Sequence, residues 1–149
     1  MKQGGFETEI FIHSTLEKTL AVVSDFSQHH HVHPLIQKVE LADHAPAGVI
    51  RRYFITDQLQ WGPFRFKIKY RADILSIAEN AVHTEAYQSP GTYVDNVTTV
   101  KPAEGGVKLH EHITLKAPDL LFGYAFQQAR DSHRGMLERI KNYLEKEAA

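Results

Sequence analysis

The 149-residue chain has no cysteine, and that absence removes a disulfide framework, a thiolate nucleophile and a thiolate metal site together. A dominant charge is missing too. Seventeen Lys and Arg stand against eighteen Asp and Glu, a formal net charge of −1, so no strong field draws in a phosphate backbone or an anionic lipid surface, and no nucleic acid partner is expected. No apolar run approaches the roughly 20 residues that cross a bilayer, so no stable membrane insertion is expected. Met1 to Gly5 lacks the apolar core of a secretory leader, which points to a cytoplasmic protein. G-x-S-x-G, P-loop, G-x-G-x-x-G and H-E-x-x-H motifs are all absent, leaving the hydrolase, nucleotide and zinc-protease mechanisms without support and no cofactor expected. No repeat, low-complexity tract or Pro/Ser-rich linker divides the chain. The expectation is one domain over residues 1–149, long enough to bury roughly 70% of its unfolded surface.

What is present is patterned. Phe6 to His13 alternates, with Phe6, Thr8, Ile10 and Ile12 on one face, the period of a half-buried strand. Ser14 followed by Glu17 reads as a capping box that opens a helix carrying Leu16, Leu20 and Val23, which breaks and restarts between Asp25 and His33 before Pro34 stops it. From Leu35 to about Lys116 the signals change to strands. Turns are marked at Ala45-Pro46-Ala47-Gly48, Gly62-Pro63, Glu79-Asn80, Ser89-Pro90-Gly91 and Glu104-Gly105-Gly106, which gives six more strands in a meander, because such short connections join antiparallel neighbours only. The clearest has Phe64, Phe66, Ile68, Tyr70, Ala72 and Ile74 alternating with Arg65, Lys67, Lys69, Arg71 and Asp73. After Pro118, Asp119 is placed to cap a long helix whose Phe122, Phe126, Ala129, His133, Met136, Leu137, Ile140 and Leu144 form one apolar stripe. A sheet with one apolar face and a helix with one apolar stripe bury both by packing together.

The order of one strand, two short helices, a six-strand meander and a long terminal helix resembles the START-like, or SRPBCC, helix-grip superfamily, which includes polyketide cyclases, coenzyme Q-binding proteins and pollen allergens. The local match is best in Phe6 to Leu41, a strand, a Ser-capped helix, Asp25-Phe26 and a Pro34 ahead of a strand containing Val39-Glu40. Histidines stand at His31 to His33 where bacterial members carry an aromatic residue nearby. The resemblance implies an α+β helix-grip fold, a seven-stranded antiparallel sheet wrapped around the C-terminal helix with two short helices after the first strand. It also implies a cavity for a small hydrophobic molecule: a lipid, quinone, polyketide or aromatic compound. It implies no reaction, since fold does not fix function.

Alternation assigns Tyr53, Ile55, Leu59, Trp61, Phe66, Ile68, Tyr70, Glu85, Tyr87, Tyr93, Leu109, Glu111, Ile113 and Leu115 to the inner face, opposite Phe122, Phe126, His133 and Met136 of the helix. Candidate ligand contacts are Tyr53, Ile55, Trp61, Phe66, Ile68, Tyr70, Tyr87, Tyr93, Glu111, Phe122, Phe126, His133 and Met136, an apolar lining with a few polar groups to orient a guest. The competing reading is that these side chains fill a closed core. Glu85, Glu111 and His133 are the candidates for proton transfer in a cyclase, aromatase or hydratase, against rim carboxylates that pair with cations. His29 and His33 are four residues apart, a spacing that suits two metal ligands on a helix, with Asp25 as a third donor; two ligands do not make a site, and no metal is expected. His110 and His112 share a strand face expected to point outward, and Lys67, Lys69, Arg71, Lys108 and Arg52 a solvated convex face. A third reading is a protein-interaction module, marked by an exposed apolar patch with no cavity beneath it.

Overall fold

In the computed structural model, residues 1–148 are described, with the side chains of Gln28, His30, His31, Trp61, Glu147 and Ala148 outside the description. The chain runs through β1 (Lys2–Ile12), α1 (Leu16–Val23), a 3-10 helix (Phe26–His31), β2 (Ile36–Leu41), β3 (Arg51–Trp61), β4 (Phe64–Ala78), β5 (Ala81–Gln88), β6 (Thr92–Ala103), β7 (Gly106–Ala117) and α2 (Asp119–Ala148). All seven strands form one antiparallel sheet in the order β1-β7-β6-β5-β4-β3-β2. This is the expected helix-grip arrangement: β2 to β7 meander, and β1 closes on β7 over its whole length, Lys2 opposite Ala117 and Ile12 opposite Val107. The hairpins turn where the punctuation lies, with Gly62 and Gly105 at φ +60° and +81°, backbone that a side chain would strain.

Three local expectations are corrected. The cap of α1 is Thr15, whose hydroxyl accepts from the Lys18 N–H at 3.2 Å; Ser14, one residue early, leaves its hydroxyl buried with no partner among the described residues. The second short helix is a 3-10 helix of six residues rather than an α-helix, opened by Asp25, whose carboxylate accepts from Ser27 N at 3.0 Å and Ser27 Oγ at 2.6 Å. Asp119 does not cap α2 but begins it, because the Pro118 carbonyl already accepts from Leu121 N and Phe122 N; Asp119 instead binds the Met1 ammonium at 2.8 Å.

The core is packed toward one end. Ile12, Val82, Val100, Val107 and Leu109 of the sheet meet Leu137, Ile140 and Leu144 of α2, with Val22 and Val23 of α1 closing the side. A smaller cluster holds Leu115, Ala117 and Ala129 against Phe6, Phe122 and Phe126. Between the two clusters the helix and the sheet stand apart around a gap.

Candidate functional site

The gap is written in side-chain size. Over its first turns α2 turns Ala125, Ala129 and Ser132 to the sheet, and the facing floor carries Ala72, Thr84, Ala86, Asn96 and Thr98. Small residues on both surfaces at a separation fixed by the larger core leave space that nothing fills. The result is a cavity of about 400 Å³, walled by Ile55, Leu59, Phe66, Ile68 and Leu115 and closed at its inner end by Met136 and Leu137. Exposed Leu121 of α2 and Pro90 of the β5–β6 turn lie at its margin.

Polar groups enter this apolar space at two poles. At the first, Glu111 of β7 is only 1% exposed. Asn96 Nδ2 donates to its Oε2 at 2.6 Å, and His133 Nδ1 lies 3.2 Å from Oε1. Burial alone would push the Glu111 carboxyl up, but the His133 ring and the Asn96 amide outweigh it and hold the group below the ordinary carboxylate value, so it is ionised. An ionised carboxylate only accepts, so His133 carries a proton on Nδ1, and whenever the ring is neutral its lone pair sits on Nε2. The ring is held edge-on by Phe6 and by His33, at centroid distances of 6.3 and 6.2 Å. Asn96 Oδ1 is buried with no hydrogen-bond partner among the described residues.

At the second pole, Tyr70 donates its hydroxyl to Asp57 Oδ1 at 3.2 Å. Asp57 is 6% exposed, and burial raises its pKa to about 6 even against the Tyr70 hydrogen bond. The same burial, with the adjacent carboxylate, pushes the Tyr70 phenol well above its usual range.

His29 and His33 both line the cavity. His29 Nε2 donates to the Val22 carbonyl at 3.0 Å, and burial pushes its pKa down to about 4. His33 Nδ1 accepts from the Leu35 N–H at 3.2 Å, which places the His33 proton on Nε2; burial, then the nearby His133, hold the ring well below its ordinary value. Both rings are thus anchored to backbone. Among the described residues no group of three His, Cys, Asp or Glu is arranged to hold a metal ion.

Of the expected ligand contacts, Ile55, Phe66, Ile68, Tyr70, Glu111, His133 and Met136 stand on the cavity wall. Tyr53 does not: it is 2% exposed within the packed core, set beside the Phe26 ring, with its hydroxyl 3.4 Å from Asp25 Oδ1. Phe122 and Phe126 turn away from the cavity onto β1, where Gly4 has no side chain to obstruct them. A Cβ on Gly4 would lie 2.9 Å from Phe122 and 3.2 Å from Phe126, and Phe6 completes the seat edge-on at 5.6 Å. Gly4 is therefore a packing position inside a strand.

The phase of β5 and β6 is the reverse of that expected. Tyr87 pairs with Arg71 and Tyr93, and Glu85 with Asp73 and Asp95, so these side chains follow the convex register, while Glu85 and Tyr87 also border the cavity. Arg71 lies over the Tyr87 ring at 5.6 Å, and Tyr93 packs on that ring at 4.7 Å. Glu85 and Tyr93 share a convex depression with Asp95 and Lys116. The side chain of Trp61 lies outside the described residues.

Several of the convex charges pair with one another. Arg52 grips Asp73 with two bonds of 2.8 and 2.9 Å, and Lys108 lies 3.9 Å from Glu9. His110, on the same face, lies 3.3 Å from Glu7.

Sequence reasoning passed over Asp57 and Asn96. Asp57 sits in phase with Ile55 and Leu59, and a charged residue inside an apolar alternation was the available signal. Asn96 had none, because an amide in a strand reads as solvent-facing.

No family model matches the chain, and no curated protein matches it. Solved structures do. The di-domain aromatase/cyclase StfQ from the steffimycin biosynthetic pathway is similar over 98% of this chain, at a TM-score of 0.80 and 12% identity. The chain spans 52% of that protein's length. A START superfamily protein from Mycobacterium smegmatis is similar over 95% of this chain and 97% of its own, at a TM-score of 0.75 and 14% identity. A norcoclaurine synthase from Thalictrum is similar over 99% and 98%, at a TM-score of 0.72 and 12% identity. At these identities the likeness is one of fold.

Proposed function

We propose, starting from the helix-grip fold that this chain shares with START-like proteins, that it binds a small hydrophobic molecule in the cavity between the sheet and α2. The observation that carries the reading is the space of about 400 Å³ between sheet and helix, with a mainly apolar wall and polar groups at two poles, the composition of a small-molecule site. Its volume suits an aromatic compound of two or three rings better than a long acyl chain. Burial of the rings supplies affinity at about 25 cal/mol per Å² of apolar area.

The polar groups narrow the guest further. Asn96 Oδ1 is an acceptor without a donor among the described residues, and His133, with Nδ1 on Glu111, offers a second acceptor at Nε2 when its ring is neutral. A guest hydroxyl directed at this pole satisfies a buried group that otherwise costs about 1–3 kcal/mol. The protein is accordingly a carrier or receptor for a hydroxylated aromatic molecule.

Calorimetric titration with β-naphthol tests this. Saturable one-to-one binding with a negative heat-capacity change is expected, and naphthalene, lacking the hydroxyl, should bind roughly three- to tenfold more weakly. Absence of saturable binding by either compound would refute the reading.

A further inference from the structure

We propose that the cavity also catalyses proton transfer at carbon, with His133 Nε2 as the base that removes a proton from the carbon beside a ketone and His33 Nε2–H as the donor that holds the enolate oxygen. This rests on the binding reading above and adds a reaction to it.

The geometry that carries the proposal is the opposite tautomeric fixing of two imidazoles that face one apolar space. Glu111 accepts the Nδ1 proton of His133 at 3.2 Å, which directs a lone pair, an acceptor, to Nε2. The Leu35 N–H occupies Nδ1 of His33 at 3.2 Å, which directs a hydrogen, a donor, to Nε2. The rings stand edge to face with centroids 6.2 Å apart, and both line the cavity. A base and a neutral hydrogen-bond donor at this spacing match the two ends of a carbonyl and its adjacent C–H bond. His33 stays uncharged because it is buried, so it donates a hydrogen bond without protonating the oxygen. A neutral imidazole serving as electrophile is an established solution to enolisation elsewhere.

The step balances without a co-reactant. The C–H bond beside the carbonyl breaks, its proton goes to His133 Nε2, and its electron pair forms the C=C bond. The carbonyl π pair moves to oxygen, where the His33 N–H holds it. Return of a proton to carbon regenerates the ketone or, at a conjugated position, its isomer. Glu111 borders the cavity but is only 1% exposed, and in this step it acts through His133. It is a positioning residue that stays ionised, fixes the His133 tautomer and stabilises the imidazolium that forms, while Asn96 locks Glu111 in place at 2.6 Å. The substrate class is an apolar, ring-bearing ketone with an enolisable position.

The test follows hydrogen–deuterium exchange of the protons beside the carbonyl of β-tetralone by proton NMR in D2O, with β-tetralone binding measured separately by calorimetry. The wild-type protein should accelerate exchange over buffer at equal pH. His133→Gln should lower the protein-dependent rate roughly 100-fold or more, and His33→Leu, which has no donor, should lower it by about tenfold or more through loss of one oxyanion donor. Glu111→Gln should slow exchange while the 15N shifts of the His133 ring report loss of the Nδ1–H tautomer, a signature that a merely structural role would not move. Saturable binding of β-tetralone with no acceleration, or acceleration that survives His133→Gln, overturns this inference and leaves the binding proposal standing. Absence of binding by β-tetralone and β-naphthol alike overturns both.

Discussion

The two halves of α2 face the same sheet and do opposite things. From Met136 onward the helix presents Leu137, Ile140 and Leu144, each 2% exposed or less, to Ile12, Val100, Val107 and Leu109. Before Met136 it presents Ala125, Ala129 and Ser132 to Ala72, Ala86 and Thr98 across an open space. One rigid helix cannot approach the sheet closely at one end and stand off at the other without a spacer. Large residues at the filled end set the distance, and small residues at the other end decline to use it. The hollow is therefore a product of the filled half. Polarity divides in the same way, since Glu111, Asn96, Asp57, His33 and His133 all border the hollow.

The filled half should carry most of the stability. Ile140→Ala is expected to cost about 2–5 kcal/mol in urea unfolding, the range for deleting a fully buried aliphatic side chain. A cost below about 1 kcal/mol would mean that this end is loose and the contrast false.

Asp57 at the hollow should oppose folding at neutral pH. Its folded pKa of about 6 lies above its ordinary 3.8, so the fold binds this proton more tightly than the unfolded chain does. Its stabilising contribution is complete below about pH 4 and is lost as pH rises through 6. Asp57→Asn should match the wild type at about pH 4 and exceed it by roughly 2–4 kcal/mol at about pH 8. The comparison between the two proteins isolates Asp57 from His29, whose pKa, depressed from its ordinary 6.5 to about 4, works in the other direction: stability present above the ordinary value is lost as pH falls. A difference that does not change with pH would contradict the assignment.

Filling the hollow should be tolerated. Ser132→Leu places an aliphatic side chain in the open space and removes only a hydroxyl bonded to the Ala129 carbonyl at 3.3 Å. Unfolding free energy should change by less than about 1 kcal/mol, whereas overpacking a solid core costs about 1–3 kcal/mol; β-naphthol binding in calorimetry should fall at least about tenfold. On the convex face, Arg71→Ala breaks a 3.4 Å contact to Asp73 and the Tyr87 stack. Being partly exposed, that pair should be worth about 0.5–1 kcal/mol in denaturant unfolding and leave binding unaltered.

The sheet order, the hairpins and the long helix were legible because alternation and helical spacing report burial directly. The side of the sheet was legible where a strand has one apolar face, as in Phe66 to Ile74 of β4. It failed on β5. There Val82, Thr84 and Ala86 face inward, but Tyr87 is the bulkiest residue and set the apparent phase. An aromatic residue can also be buried by stacking under an arginine, and Tyr87 does so. A register shift between Ile74 and Ser76, which a period count cannot register, separates β4 from β5. The error on Phe122 and Phe126 has a different origin. Their place on the helix stripe was right, but the stripe is wide enough to serve two surfaces, and only the bare backbone at Gly4 decides which one they cover. The polar poles were half legible: Glu111 and His133 stood out as polar residues in apolar phases, whereas the pairing that makes them a unit joins residues 22 positions apart and depends on tertiary packing.

The central claim is that the space beneath the first half of α2 receives a guest while the second half is closed. Methyl-resolved NMR of the protein titrated with β-naphthol tests it most directly. Saturable shifts are expected at Ala72, Ala86, Ala129 and Met136, with Ile12, Ile140 and Leu144 unmoved. Shifts confined to residues of the convex face, or equal shifts at both ends of the helix, would contradict it.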